Sequence, residues 1–175
     1  MSNQIFSEVN PVKFIIVHKP GKEHTFITPK NISEKIEING KSNDNPDFLL
    51  FDDIIQIKKA QNEHNQFVKI LNHFTNGNTY DFIDLLNDII KDNSIKENLL
   101  KECIENELKT YDNSINIKDF ENINSQQLTE TLITGYLNNN KIFSHPVPNL
   151  IFTRDIAVLI GKRLLITWNK KEVRN

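Results

Sequence analysis

An α/β fold with a helical cluster inserted between two sheet-forming parts is what this sequence predicts. Three observations carry the prediction. Val12 to His18 (VKFIIVH) is a short, nearly continuous apolar run rich in β-branched residues, the pattern of a buried strand. Between Ile57 and Thr134, apolar residues recur at spacings of three and four, the period of amphipathic helices. Ile156 to Ile160 and Leu164 to Trp168 then flank Gly161-Lys162-Arg163, as the strands of a hairpin do.

In chain order, Lys19-Pro20-Gly21-Lys22 ends the first strand, because Pro-Gly suits a type II turn. Asn31 to Asp47 is polar and reads as a long surface loop. Asp52-Asp53 precedes a helix whose apolar face is Ile57, Ala60, His64, Phe67, Leu71 and Phe74, closed by Asn76-Gly77-Asn78 with Gly77 as a left-handed cap. Further helices run from about Asp81 to Lys91, from Ser94 to Tyr111, and from a Ser125 cap to Thr134, where Gly135 closes the last. Asn138-Asn139-Asn140 is a loop. This divides the chain into residues 1–79, a helical insertion over 80–135, and a second sheet-forming part over 136–175. No internal repeat is visible.

A chain of 175 residues fits one domain or a core with an inserted subdomain. A net charge of -2 argues against a nucleic-acid partner, which calls for a basic face. No apolar run approaches the roughly 20 residues that span a bilayer, so no membrane partner is expected. Met1-Ser2-Asn3-Gln4 lacks the charged-then-apolar pattern of a signal peptide. One cysteine excludes an internal disulfide and fits a reducing compartment, so the expected location is cytoplasmic.

The sharpest chemical constellation is Pro148 to Asp155 (PNLIFTRD), where a polar, charged tetrad meets apolar runs at a strand–loop junction. Asp155 beside Phe152 suits a planar cation, with two N–H bonds to the carboxylate and a ring against its stem or face. The competing reading is that Arg154 or a backbone turn satisfies Asp155. Asp52-Asp53 is either a paired-carboxylate site or, more commonly for such a pair, a helix N-cap with first-turn charge. His64 lacks a second His four residues on, so no zinc motif exists, and it reads as a satisfied core or boundary histidine. His18, His24 and His145 are isolated in sequence. Cys103, in step with Leu99 and Leu100, reads as packing rather than a nucleophile. Lys170 to Arg174 is a solvated helix start or a source of a cation for a substrate carboxylate.

Several motifs now fall in one order: His18-Lys19-Pro20-Gly21, Thr28-Pro29-Lys30-Asn31, Leu49-Leu50-Phe51-Asp52-Asp53, Leu132-Ile133-Thr134-Gly135, and Pro148-Asn149-Leu150-Ile151-Phe152-Thr153-Arg154-Asp155. In them the chain resembles the N-terminal half of arginine deiminases, members of the guanidino-group-modifying superfamily. The resemblance implies an α/β-propeller of pentein-type ββαβ modules with a helical insertion, only partly present here. It implies hydrolysis of L-arginine to L-citrulline and ammonia through a Cys thiouronium intermediate, with no metal or organic cofactor. Residue by residue, Asp155 falls on the catalytic Asp that binds the guanidinium, and Phe152 on the ring against the substrate stem. Asn149 falls on an Asn that helps hold the substrate carboxylate, Leu50 on an apolar lid residue, and Arg174 on a carboxylate-binding Arg.

The resemblance implies that the family's second carboxylate, its acid/base His and its near-C-terminal Cys fall beyond residue 175. The loop from Asn31 to Phe48 is longer than in typical deiminases, and the stretch after Asp155 lacks the usual Gly-Gly hairpin. The expectation is therefore a deiminase portion that is inactive alone, with a homo-oligomer when complete, or a complementary C-terminal half, as its partner. The alternatives are a non-catalytic guanidino-ligand-binding or regulatory relative, and an interaction module that reuses the helices.

Overall fold

The computed structural model describes residues 9–51 and 53–166. Asp52, Thr167, Trp168 and the Lys170 to Arg174 run lie outside them. The described chain is mixed α/β. Its strands are β1 (Ile15–Val17), β2 (Lys35–Ile38), β3 (Lys41–Asp44), β4 (Thr79–Asp81), β5 (Tyr136–Leu137), β6 (Asn140–Lys141), β7 (Ala157–Ile160) and β8 (Arg163–Ile166). Its α-helices are α1 (Ile57–Thr75), α2 (Phe82–Ile89), α3 (Asn93–Tyr111) and α4 (Ser125–Thr134). The strands pair two by two. β1 runs parallel to β4 with Ile16 opposite Tyr80, and the other three pairs are antiparallel hairpins. Among the described residues, no helix is long and apolar enough to cross a membrane.

The parallel pair β1–β4 joins the first strand to the helical cluster, and Asp81 secures the joint. Its Oδ2 accepts the Lys19 N–H at 3.0 Å, and its Oδ1 accepts the Ile83 N–H at 2.9 Å as the N-cap of α2. One carboxylate thus satisfies a donor at the end of β1 and an orphan donor of the helix start.

Several local expectations are corrected. Val12 and Phe14 are exposed and precede a β1 of three residues. The Pro20-Gly21 turn is not type II. Gly21 is extended (φ -127°), and a 3₁₀ helix, Lys22–Phe26, follows it. The stretch expected as a long loop folds back as the β2–β3 hairpin, because Asn39 and Gly40 both take positive φ (53° and 72°) in a two-residue turn whose twist matches paired strands. Gln56, not Asp53, is the N-cap of α1, and its side chain makes no cap bond; Asp52 lies outside the described residues. Asn124, not Ser125, caps α4, in a reciprocal capping box with Gln127. The expected loop at Asn138 and Asn139 is a tight turn (φ 49° and 67°), and only Asn140 departs from it by beginning β6.

Other helix ends follow their sequence signals. Gly135 closes α4 at φ 82°, and a Cβ there would stand 3.1 Å from the Phe143 carbonyl oxygen, so both conformation and space call for glycine. Asp92 caps α3 by accepting from the Ser94 and Ile95 N–H groups.

Two apolar clusters organise the interior. Ile90, Leu100, Phe120, Leu128 and Phe143 pack the helical part, with Cys103 against them as its spacing implied. Ile27, Leu49 and Phe51, backed by Ile32, Ile55 and Ile151, form the second cluster. The apolar stripe of α1 is not core throughout. Phe67, Ile70 and Phe74 are exposed, as are Val158, Ile160, Leu164, Leu165 and Ile166 on β7 and β8.

Candidate functional site

Pro148 starts a 3₁₀ helix over Pro148–Ile151, where its fixed φ is preorganised for the first helical position. The Val147 N–H donates to Ile133 O at 2.9 Å, which anchors this turn on the end of α4. Phe152 N–H donates to Asn149 O and Asp155 N–H to Phe152 O, both at 3.0 Å. Two consecutive tight turns therefore present Asn149, Phe152 and Asp155 from one short segment. Thr153 Oγ1 donates to Ile16 O at 3.1 Å and fixes the segment on β1. Asp155 is exposed, Phe152 is 46% exposed, and the half-buried Asn149 holds a buried Oδ1 with no hydrogen-bond partner among the described residues. A buried acceptor left unmet costs about 1–3 kcal/mol.

Leu50 arrives from the other motif. Asn31 organises the approach: its Oδ1 accepts the Thr28 N–H at 2.7 Å and its Nδ2 donates to Phe26 O at 2.8 Å. Its backbone carbonyl accepts the Leu49 N–H. Leu49 and Phe51 are buried while Leu50 between them is half-exposed, the alternation expected of extended chain. Phe51 then meets Phe152, with ring centroids 6.0 Å apart and tilted by 34°, and Ile151 packs on the same cluster. The two motifs, remote in sequence, become one surface with Phe152 as its exposed ring. Arg174 lies outside the described residues.

Behind Phe51 stands a polar cluster that the sequence reading missed. Glu23 Oε1 accepts from His18 Nε2 at 3.0 Å, His24 Nδ1 at 2.8 Å and the Gly21 N–H at 2.7 Å. All three side chains are buried. Burial alone raises the Glu23 carboxyl, but the bonds from His18, His24 and the Gly21 N–H outweigh it and bring it down to about 2. His18 Nδ1 and His24 Nε2 are buried without partners. The His24 ring meets Phe51 edge-on at 5.0 Å, so the cluster supports the ring that supports Phe152. The available signal was spacing: a Pro20-Gly21 bend between His18 and His24 folds the two histidines toward Glu23. A Cβ at Gly21 would stand 2.7 Å from Glu23 Oε2, which explains the glycine without invoking a positive φ.

His64 is not the satisfied histidine expected. Its Nδ1 is buried without a partner, and burial lowers its pKa despite the Asp81 charge nearby. Among the described residues, no three His, Cys, Asp or Glu side chains converge as metal ligands.

The family model for arginine deiminase matches residues 47–141, more than half of the chain. An arginine deiminase of Borreliella burgdorferi (strain ZS7) is 30% identical over 191 residues, covering 97% of this chain and 42% of the relative. One from Treponema denticola is 30% identical over 180 residues, covering 90% of this chain and 40% of the relative. One from Metamycoplasma arthritidis is 26% identical over 183 residues, covering 97% and 41%. The chain thus spans about two fifths of the length of the curated relatives it matches.

Proposed function

The chain belongs to the arginine deiminase family, and from that premise we propose that it forms the guanidinium-binding part of an enzyme hydrolysing L-arginine to L-citrulline and ammonia. The observation that carries the proposal is the turn Asn149–Asp155. It offers an exposed carboxylate, a half-exposed ring backed by Phe51, and a buried amide acceptor without a partner. On this reading Asp155 accepts two N–H bonds from the planar guanidinium and opposes its charge. Phe152 packs on the substrate stem, Leu50 covers it from the apolar side, and Asn149 with Arg174 holds the α-carboxylate.

The proposed chemistry is nucleophilic. A Cys thiolate attacks the guanidinium carbon, a His protonates the departing ammonia, and water then releases citrulline from the thiouronium. Cys103 does not serve. It packs against the helical core, and burial, aided by Glu102 and Glu107, pushes its thiol up to about 11. We place the nucleophile, the acid/base His and the second carboxylate in a complementary segment beyond this sequence. In that picture residues 1–79 and 136–175 belong to a pentein-type α/β-propeller and residues 80–135 are its helical insertion. The exposed apolar faces of α1, β7 and β8 fit surfaces that such a propeller, or a partner half, covers.

Calorimetry with L-arginine tests the binding role. The expected result is weak, millimolar binding that Asp155→Ala abolishes, and no citrulline from the chain alone. Binding that survives Asp155→Ala overturns the assignment. Citrulline formation once the chain is combined with the complementary segment of a relative supports the catalytic reading. Arginine binding that never leads to citrulline in that combination favours a non-catalytic guanidino-binding relative.

A further inference from the structure

A cleft of about 480 Å³ is lined by residues of the 3₁₀ helix Lys22–Phe26, of α2 and of α4, and by none of the Asn149–Asp155 turn. That size suits a small ligand. Two of its lining residues hold a buried polar atom that has no partner among the described residues. Thr129 is 2% exposed and its Oγ1 has no partner, and the Asn87 Oδ1 is likewise buried and unpartnered.

The other buried threonines of α4 show that this is a choice of the site. Thr131 Oγ1 donates back to Gln127 O at 2.8 Å and Thr134 Oγ1 to Glu130 O at 2.7 Å. Such a bond one turn back is the ordinary way a helical threonine satisfies itself. Thr129 forgoes it and lines the cleft.

The charges around the cleft are mostly negative. Glu23 and Asp84 line it with carboxylates, while Lys22 pairs with Glu130 at its exposed rim, so that pair adds no net charge. The hydrogen bonds that Glu23 receives keep it ionised at neutral pH. An amide oxygen, a hydroxyl and two carboxylates together ask for N–H donors and positive charge.

We propose that this cleft binds a compact organic cation bearing N–H donors, of the alkylammonium or guanidinium class. The ligand hydrogen-bonds Asn87 Oδ1 and Thr129 Oγ1 and is balanced by exposed Asp84, while Glu23, buried and bonded to His18, His24 and the Gly21 N–H, contributes only from behind the wall. The proposal does not rest on the arginine site, although two lining residues also support that site: Ile133 anchors the Asn149–Asp155 turn, and Glu23 bonds the His24 that meets Phe51.

The test is a 1H–15N correlation titration of the 175-residue chain at constant ionic strength, with three probes: methylguanidinium, n-propylammonium and tetramethylammonium. The expected result is saturable shifts at the amides of Asp84, Asn87 and Thr129 with one or both of the first two probes. Whichever binds more tightly identifies the class. Tetramethylammonium, a cation without N–H donors, is expected to leave those amides unmoved. Thr129→Val, which keeps the volume and removes the hydroxyl, is expected to weaken binding about fivefold. Asp84→Asn, on the exposed face of α2, is expected to weaken it too and carries little risk to folding. Asp155→Ala is expected to leave these shifts unchanged, so failure of the arginine site leaves this result readable. Shifts that do not saturate, that tetramethylammonium reproduces, or that survive both Thr129→Val and Asp84→Asn overturn the proposal.

Discussion

The ring of Phe152 leans on that of Phe51, with 6.0 Å between centroids. Phe51 is buried in the cluster with Ile27 and Leu49, whereas Phe152 is half-exposed, so the first is a fixed floor for the second. Phe51→Ala is expected to lower stability by about 3–5 kcal/mol, as loss of a buried aromatic does. Phe51→Leu keeps most of the volume and is expected to keep the fold while weakening arginine binding. Urea unfolding and calorimetry on both variants check this. Full arginine affinity in Phe51→Leu would show that the floor plays no part in orienting Phe152.

Glu23 makes stability depend on acid. Its folded carboxyl titrates at about 2 against an ordinary value of 4.5. A carboxyl lowered by folding stabilises the native state above its unfolded value, and that contribution is lost as pH falls through the folded one. The window is therefore between 4.5 and about 2, with a size on the order of 3 kcal/mol. Glu23→Gln is expected to be less stable than wild type at neutral pH. Across that window, urea midpoints of the two proteins should converge. A gap that stays constant down to the bottom of the window rules this origin out.

Asp81 holds two elements where an ordinary cap holds one. Asp81→Ala removes the α2 cap and the bond to Lys19 at the end of β1, whereas Asp92→Ala removes only bonds to the start of its own helix. The first substitution is expected to cost more, by about 1 kcal/mol. Hydrogen exchange at the Lys19 amide is expected to accelerate in Asp81→Ala and not in Asp92→Ala. Equal costs for the two substitutions would count against the joint role.

Cys103 is expected to be sluggish. With its thiol pushed up to about 11 from 9.0, its thiolate fraction at pH 8 falls roughly 100-fold below that of an ordinary cysteine. Iodoacetamide labelling of the folded chain should be slower by about that factor, and restored in denaturant. Labelling as fast as a free thiol in the native state would contradict the buried position.

Phe67, Ile70 and Phe74 on α1, with Ile160, Leu164 and Ile166 on β7 and β8, give exposed apolar surface. Exposed apolar patches of this kind bind dyes and other proteins. The chain is expected to enhance 1-anilinonaphthalene-8-sulfonate fluorescence, and Phe74→Lys with Ile70→Lys to reduce it without loss of helix content. A chain that leaves the dye dark, or a double variant with undiminished fluorescence, contradicts this.

Much of the helical part was legible from spacing and caps. The period of Leu99, Leu100 and Cys103, the stop at Gly135 and the start near Asp81 are local signals, and they operate within a turn or two of the residue that carries them. The β2–β3 hairpin was less legible because its strands are largely polar, although Asn39-Gly40 is itself a strong turn signal. The motif Pro148 to Asp155 was readable as chemistry, since its residue types alone suit a planar cation.

Other features came only with folding. The parallel pairing of β1 with β4, the contact of Phe51 with Phe152, and the meeting of His18, Glu23 and His24 each need a specific approach of segments whose local sequences do not name one another. The partnerless oxygens of Asn149, Asn87 and Thr129 are of the same kind. Whether a polar atom is satisfied depends on everything packed around it, and burial by distant segments can leave an ordinary amide or hydroxyl without a hydrogen-bond partner. Short-range periodicity and capping chemistry thus set the elements, and long-range packing decided which of their side chains face one another.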